Sequence, residues 1–188
     1  MYSYLALFAT STVWLMLELS VHLNHGTKLD HSQDSNTQNE VYFMSVLTII
    51  LIALLAFFLR NLTFHNQPSV FVFFGTLAMM SGALLRFWAI QTLGNFFKTT
   101  VMIQKKHHII RSGPYAVLRH PSYLGAYIGI IGFALALNNY GSLFIAITMG
   151  FYTFWHRIQT EEKVLKKHFG KEFTQYEHQT KKMIPFIW

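Results

Sequence analysis

Cysteine is absent from the 188 residues, which removes disulfides, thiolate metal sites and cysteine nucleophiles from consideration. Charge is scarce too: Asp, Glu, Lys and Arg make up 12% of the chain, against about 25% in ordinary soluble domains. A disordered chain would be poor in apolar and aromatic residues, and this one is 52% hydrophobic and 16% aromatic. Acidic residues are the scarcer sign, 8 against 15 Lys and Arg, giving a formal net charge of +7. A nucleic-acid binder would share that sign but would not need long apolar blocks, so no nucleic-acid partner is expected. The N-terminus lacks the Lys/Arg region of a secretory signal, so its apolar block is expected to stay attached as a first span.

What is present is apolar sequence in blocks. A helix needs about 20 apolar residues to cross the hydrocarbon core. Five stretches approach that length: Tyr4 to Val21, Val41 to Leu59, Ser69 to Ile90, Tyr123 to Leu137 and Ser142 to Trp155. The last two are short and separated by Asn138-Asn139-Tyr140-Gly141, a tight helical hairpin tilted or shallow in the membrane. The expected fold class is all-α, a multi-pass membrane bundle of about five helices. Basic residues collect between Arg86 and Arg119 and again from Arg157 onward, while the turns at 61–67 and 138–141 have no Lys or Arg. The positive-inside rule then puts the N-terminus outside and the C-terminus in the cytoplasm. Gly125, Gly129 and Gly132 recur on one face of the fourth helix, where they allow a close approach by another helix or a flat ligand.

Chemistry concentrates in HHIIRSGPYAVLRHPSYLG, His107 to Gly125, at the entry to the fourth span. Pro121 suits a first helical turn and Gly113-Pro114 a bend before it. Backbone amides around Pro121 to Leu124 are placed to hold a carboxylate or phosphate, as helix N-termini do. An interfacial anchor of Tyr, Arg and His at headgroup level uses the same residue types, and the residues alone leave both readings open. His107, His108 and His120 offer imidazoles, but no four-ligand set is evident and no metal is expected.

A second constellation starts where the fifth span ends. Arg157 and Glu161 are i, i+4 on a helix, so their side chains share a face. Alone they make a surface ion pair; opposite the His107–Tyr123 region they can form the facing wall of a site, with Arg157 holding an acidic substrate. In the first span Glu18 and His22 repeat the i, i+4 spacing. Glu18 falls near the expected inner end of its helix, so snorkelling to the interface is the expectation for it.

In order and spacing, R86-F-W-A-I-Q-T-L-G94-N-F-F97, H107-H-I-I110-R-S-G113-P-Y115, R119-H-P-S-Y123-L-G125, R157-x3-E161-E162, F169-G170 and P185-F-I187 resemble the isoprenylcysteine carboxyl methyltransferases, integral-membrane enzymes that use S-adenosylmethionine. The resemblance covers the C-terminal half; the first two spans match only in being hydrophobic. It implies one membrane domain over 1–188, a helical hairpin at 1–67 followed by a methyltransferase core at 68–188 with a C-terminal cytoplasmic cofactor-binding region. It further implies S-adenosyl-L-methionine held by His107, His108, Ile109, Ile110, Tyr115, His120, Pro121, Ser122, Tyr123 and Glu161. Arg157 matches the residue turned toward the substrate carboxylate and is the expected catalytic and substrate-binding group. The acceptor is then a lipophilic or prenylated molecule reached from the bilayer lipid, with no obligate protein partner. Lys98-Thr99-Thr100-Val101 departs from the eukaryotic pattern, which bears on the acceptor. Phospholipid N-methyltransferases share the R-H-P-x-Y and E-E elements and are the alternative, with an NADPH-dependent sterol-type reductase more distant.

Overall fold

The computed structural model describes residues 2–25, 35–64, 68–97 and 108–184. Among them are six α-helices and no strand: α1 (Tyr2–His25), α2 (Ser35–Phe58), α3 (Pro68–Leu93), α4 (Pro121–Ala136), α5 (Tyr140–Phe169) and α6 (Lys171–Gln179). Short 3-10 turns occupy Gly94–Phe96 and Gly113–Ala116. The five apolar blocks coincide with α1 to α5, and several helices run past the apolar limits into polar sequence.

Among the described residues two stretches are long and apolar enough to cross a membrane, Asn39–Phe58 and Pro68–Phe96, whereas α4 has 16 residues. At 1.5 Å per residue α4 reaches only about 24 Å, short of a hydrocarbon core about 30 Å thick. Helix α5 has 30 residues, about 45 Å. Its first half is mostly apolar and its second half polar, and Arg157, Glu161 and Glu162 lie on the polar half. Large apolar side chains face outward, Phe8 at 74%, Phe58 at 71% and Leu84 at 68% exposure. An exterior of this kind suits hydrocarbon and would aggregate in water.

The centre is the α3–α4 pair, where backbones touch. A Cβ on Gly82 would stand 2.5 Å from the Gly125 carbonyl oxygen, and one on Gly75 2.5 Å from that of Gly132. Gly129 instead receives the Trp14 indole of α1. The glycine face of α4 thus packs helices, as small residues do in membranes. Helix α1 rests on α3 and α4, while α2 rests mainly on α5. The α4–α5 hairpin closes on Asn138, which takes φ of 52°. Asn139 then caps α5: its side chain accepts from the Ser142 amide at 3.0 Å and donates to the Leu59 carbonyl at 2.8 Å.

Candidate active site at the head of helix α4

At the opposite end of α4 from this hairpin, the chain leading into the helix is held by residues sixty positions away. Lys181 donates its amide to Val117 O at 3.0 Å, while the Arg119 and His120 amides donate to Lys181 O and Lys182 O at 2.8 and 2.9 Å. The Tyr176 hydroxyl of α6 donates to Tyr115 O at 2.8 Å. Burial pushes the Tyr176 hydroxyl pKa up, keeping it a neutral donor. The C-terminal segment is therefore a strap that fixes Tyr115, Arg119 and His120 against the ends of α4 and α5. Met183 anchors the strap, fully buried in the core with Phe154 and Ile158.

Beneath the strap Glu162 collects three cationic or imidazole groups. Arg119 Nε donates to its Oε1 at 2.8 Å, His120 Nε2 lies 3.3 Å from the same oxygen, and Lys182 Nζ lies 3.2 Å from Oε2. Burial opposes ionisation of Glu162, but hydrogen bonds from His120 and Arg119, and their charges, outweigh it and hold its carboxyl down to about 2. Arg119 is further fixed by Nη1 donating to Thr180 O at 2.6 Å and Glu177 O at 3.1 Å.

One residue earlier, Glu161 belongs to a different array. The Tyr123 hydroxyl donates to Glu161 Oε2 at 2.7 Å and accepts from Arg157 Nε at 3.3 Å. Arg157 is 2% exposed, whereas the Glu161 side chain keeps 27%. The rings of His120, Tyr123 and Phe154 stack in series, with centroids 5.6 and 5.8 Å apart. Tyr115 is buried beside them; burial first and the charge of Glu161 second push its hydroxyl pKa up, so it remains protonated. Adjacent carboxylates on one helix thus have different surroundings: Glu162 is saturated by Arg119, His120 and Lys182, and Glu161 is partly exposed beside the Tyr123 hydroxyl and the His120 ring.

The expected site residues are largely brought together. Tyr115, His120, Tyr123, Arg157 and Glu161 converge, and Pro121 is buried as the first residue of α4. His108 is exposed and set edge-on to Phe96, with centroids 4.9 Å apart, and Ile109 and Ile110 follow half-buried. His107, Lys98 to Val101, Pro185 and Ile187 lie outside the described residues. Ser122 accepts from Arg86, whose Nη1 donates to its Oγ at 2.9 Å and its carbonyl at 3.2 Å. Two expectations need correction. The helix-head amides are not a ready anion site, because Tyr123 and Leu124 both donate to the His120 carbonyl at 3.2 Å. Glu18 does not snorkel: Arg86 Nη2 donates to its Oε2 at 2.8 Å, and Arg86 Nε lies 2.6 Å from Oε1 in a charge contact. Arg86, Arg119, Glu162 and Lys182 were not singled out from sequence as forming networks. The signal for the first was there, since Glu18 and Arg86 are opposite charges in two apolar helices and need each other.

The sequence profile of the isoprenylcysteine carboxyl methyltransferase family matches residues 73–167, just over half the chain, with Tyr115, His120, Tyr123, Arg157 and Glu161 inside the match and the strap beyond it. The chain belongs to that family. The isoprenylcysteine carboxyl methyltransferase core so defined runs from α3 into the polar end of α5. Among relatives, the protein-S-isoprenylcysteine O-methyltransferase of Saccharomyces cerevisiae is 37% identical over 115 residues, 60% of this chain and 48% of that protein. The Schizosaccharomyces pombe enzyme is 26% identical over 204 residues, 99% of this chain and 85% of its own. Form B from Arabidopsis thaliana is 32% identical over 116 residues, 61% of this chain and 59% of that protein. The first-named yeast and plant alignments thus span about half of those proteins. A solved eukaryotic intramembrane Ras methyltransferase, itself an isoprenylcysteine carboxyl methyltransferase, superposes with TM-score 0.63 at 28% identity, over 79% of this chain and 53% of that one. The fold is similar to that of this membrane enzyme.

Proposed function

We propose that this chain transfers a methyl group from S-adenosyl-L-methionine to the carboxylate of a lipophilic acceptor of the prenylcysteine kind, forming a methyl ester. The observation that carries the reading is Arg157: a guanidinium buried to 2% where α5 leaves its apolar layer, oriented by Tyr123 and set within a helical turn of Glu161. A buried arginine fork matches a carboxylate in shape and charge. The family membership and the names of the relatives support the same acceptor class.

The donor set suits the cofactor. Glu161 retains an oxygen, Oε1, that is 4.0 Å from His120 Nδ1 and so has capacity to accept from an ammonium or ribose hydroxyl. His120 and Tyr123 supply aromatic surface and Tyr115 a protonated hydroxyl, and His107, His108, Ile109, Ile110, Pro121 and Ser122 are assigned as further cofactor contacts on the family resemblance. Bound there, the cofactor supplies an electrophilic methyl on a sulfonium. The acceptor carboxylate is already ionised at neutral pH, so no residue has to act as a base. Arg157 fixes that carboxylate and Tyr123 fixes Arg157, so the protein's share of catalysis is orientation. Phe154 and Ile158, 4% and 0% exposed, keep water from the same face of α5.

The chain is read as an integral, multi-pass membrane protein with its N-terminus outside and the catalytic loop and C-terminus cytoplasmic. The cofactor then arrives from water and the lipid tail of the acceptor from the bilayer. The test is calorimetric binding of S-adenosylhomocysteine to detergent-purified protein, compared with NADPH and with Tyr123→Phe. Binding of the homocysteine compound, weakened in the variant, supports the reading; binding of NADPH instead overturns it.

A further inference from the structure

The first helix lies outside the residues matched by the family profile, yet it reaches the head of α4 through one arginine. Arg86 of α3 is 9% exposed and grips two helices at once. Its Nη2 donates to Glu18 of α1, and its Nη1 donates to both Oγ and the carbonyl of Ser122, the residue before Tyr123. Gly125 makes the approach possible, because a Cβ there would stand 2.9 Å from the Arg86 Cβ. The α4 head has need of such a hold: His120 at its N-cap makes no side-chain cap, and Pro121 has no amide to donate. Packing alone does not account for the charges, since Trp14 already seats α1 on Gly129 and a buried ion pair is a poor adhesive compared with apolar contact.

We infer that Glu18 and Arg86 are positioning residues: held by Glu18, Arg86 fixes Ser122 and thereby places the Tyr123 hydroxyl between Arg157 and Glu161. The inference rests on the proposed methyl transfer for its effect on turnover, and on geometry alone for its effect on α4. Glu18 and Ser122 both accept from the Arg86 guanidinium, so coupling between them is expected to pass through Arg86.

The experiment is a double-mutant cycle of Glu18→Gln and Ser122→Ala, with Arg86→Lys beside it, in detergent-purified full-length chain. Two quantities are read, amide hydrogen exchange in the first turn of α4 and kcat and KM for methyl transfer. Lysine keeps a charge for Glu18 but has a single nitrogen, where Arg86 holds Glu18 with Nε and Nη2 and Ser122 with Nη1. Arg86→Lys is expected to keep the thermal midpoint of wild type, to speed exchange at the α4 head and to lower kcat by about 10- to 100-fold, the scale of a small misplacement of reacting groups. Glu18→Gln and Ser122→Ala are expected to be non-additive in both quantities. Additive effects, or unchanged exchange, overturn the strut whatever the turnover. Faster exchange with unchanged kcat leaves a purely structural contact and overturns the positioning role. A wild-type chain that methylates no carboxylate overturns the proposed activity, and the exchange cycle still decides the strut.

Discussion

In the proposed methyl transfer, Arg157 is the residue on which the chemistry turns. Arg157→Ala is expected to reduce turnover by about 100-fold or more while S-adenosylhomocysteine still binds, because the guanidinium is assigned to the acceptor carboxylate. Equal loss of binding and turnover in calorimetry and initial-rate assays would reject that assignment. Glu162 gives a second prediction, this one for stability. Its carboxyl falls from 4.5 to about 2 in the folded chain, so the unfolded chain takes up the proton more readily. The stabilisation is therefore complete above about pH 4.5 and is lost as pH falls toward 2. Glu162→Ala, which leaves Arg119 and Lys182 without their shared carboxylate, is expected to cost about 3–5 kcal/mol at neutral pH. The gap from wild type should narrow below pH 4 in thermal melts. The roles of neighbouring carboxylates could not be separated from sequence. Arg157 and Glu161 announce themselves by their i, i+4 spacing, but which carboxylate Lys182 and Arg119 choose depends on the strap, whose pairing with residues 117–120 has no local signature.

Among the elements, the α3–α4 contact is the least tolerant. A methyl group at Gly82 would press on the Gly125 carbonyl at 2.5 Å, and relieving it means separating the helices that hold Arg86 against Ser122. Gly82→Ala is expected to destabilise by about 1–3 kcal/mol, measured as a lowered midpoint in detergent melts, and to slow turnover with it. A variant as stable and active as wild type would show that the helices do not meet backbone to backbone. The helices themselves were plain in the sequence, because long apolar runs broken by Asn-Asn-Tyr-Gly or by polar loops allow little else. Gly125, Gly129 and Gly132 declared a close-packing face, but not that Gly82 and Trp14 would be what fills it. The fate of Glu18 was misread for a related reason: its position along α1 was legible and the helix beside it was not.

At the scale of the whole molecule, one helix, α5, joins the apolar layer to the polar site, and the C-terminal strap closes that site over the head of α4. On the proposed function, this arrangement would let a lipid-anchored carboxylate and a water-soluble methyl donor meet at one boundary, between Arg157 and Glu161. The most direct test supplies purified chain in lipid vesicles with S-adenosylmethionine labelled on its methyl group, and with a farnesylated cysteine bearing a free carboxylate. The account predicts label in a base-labile ester on that compound and none on its carboxamide counterpart. Label appearing instead as base-stable N-methyl groups on the vesicle's phosphatidylethanolamine would contradict it.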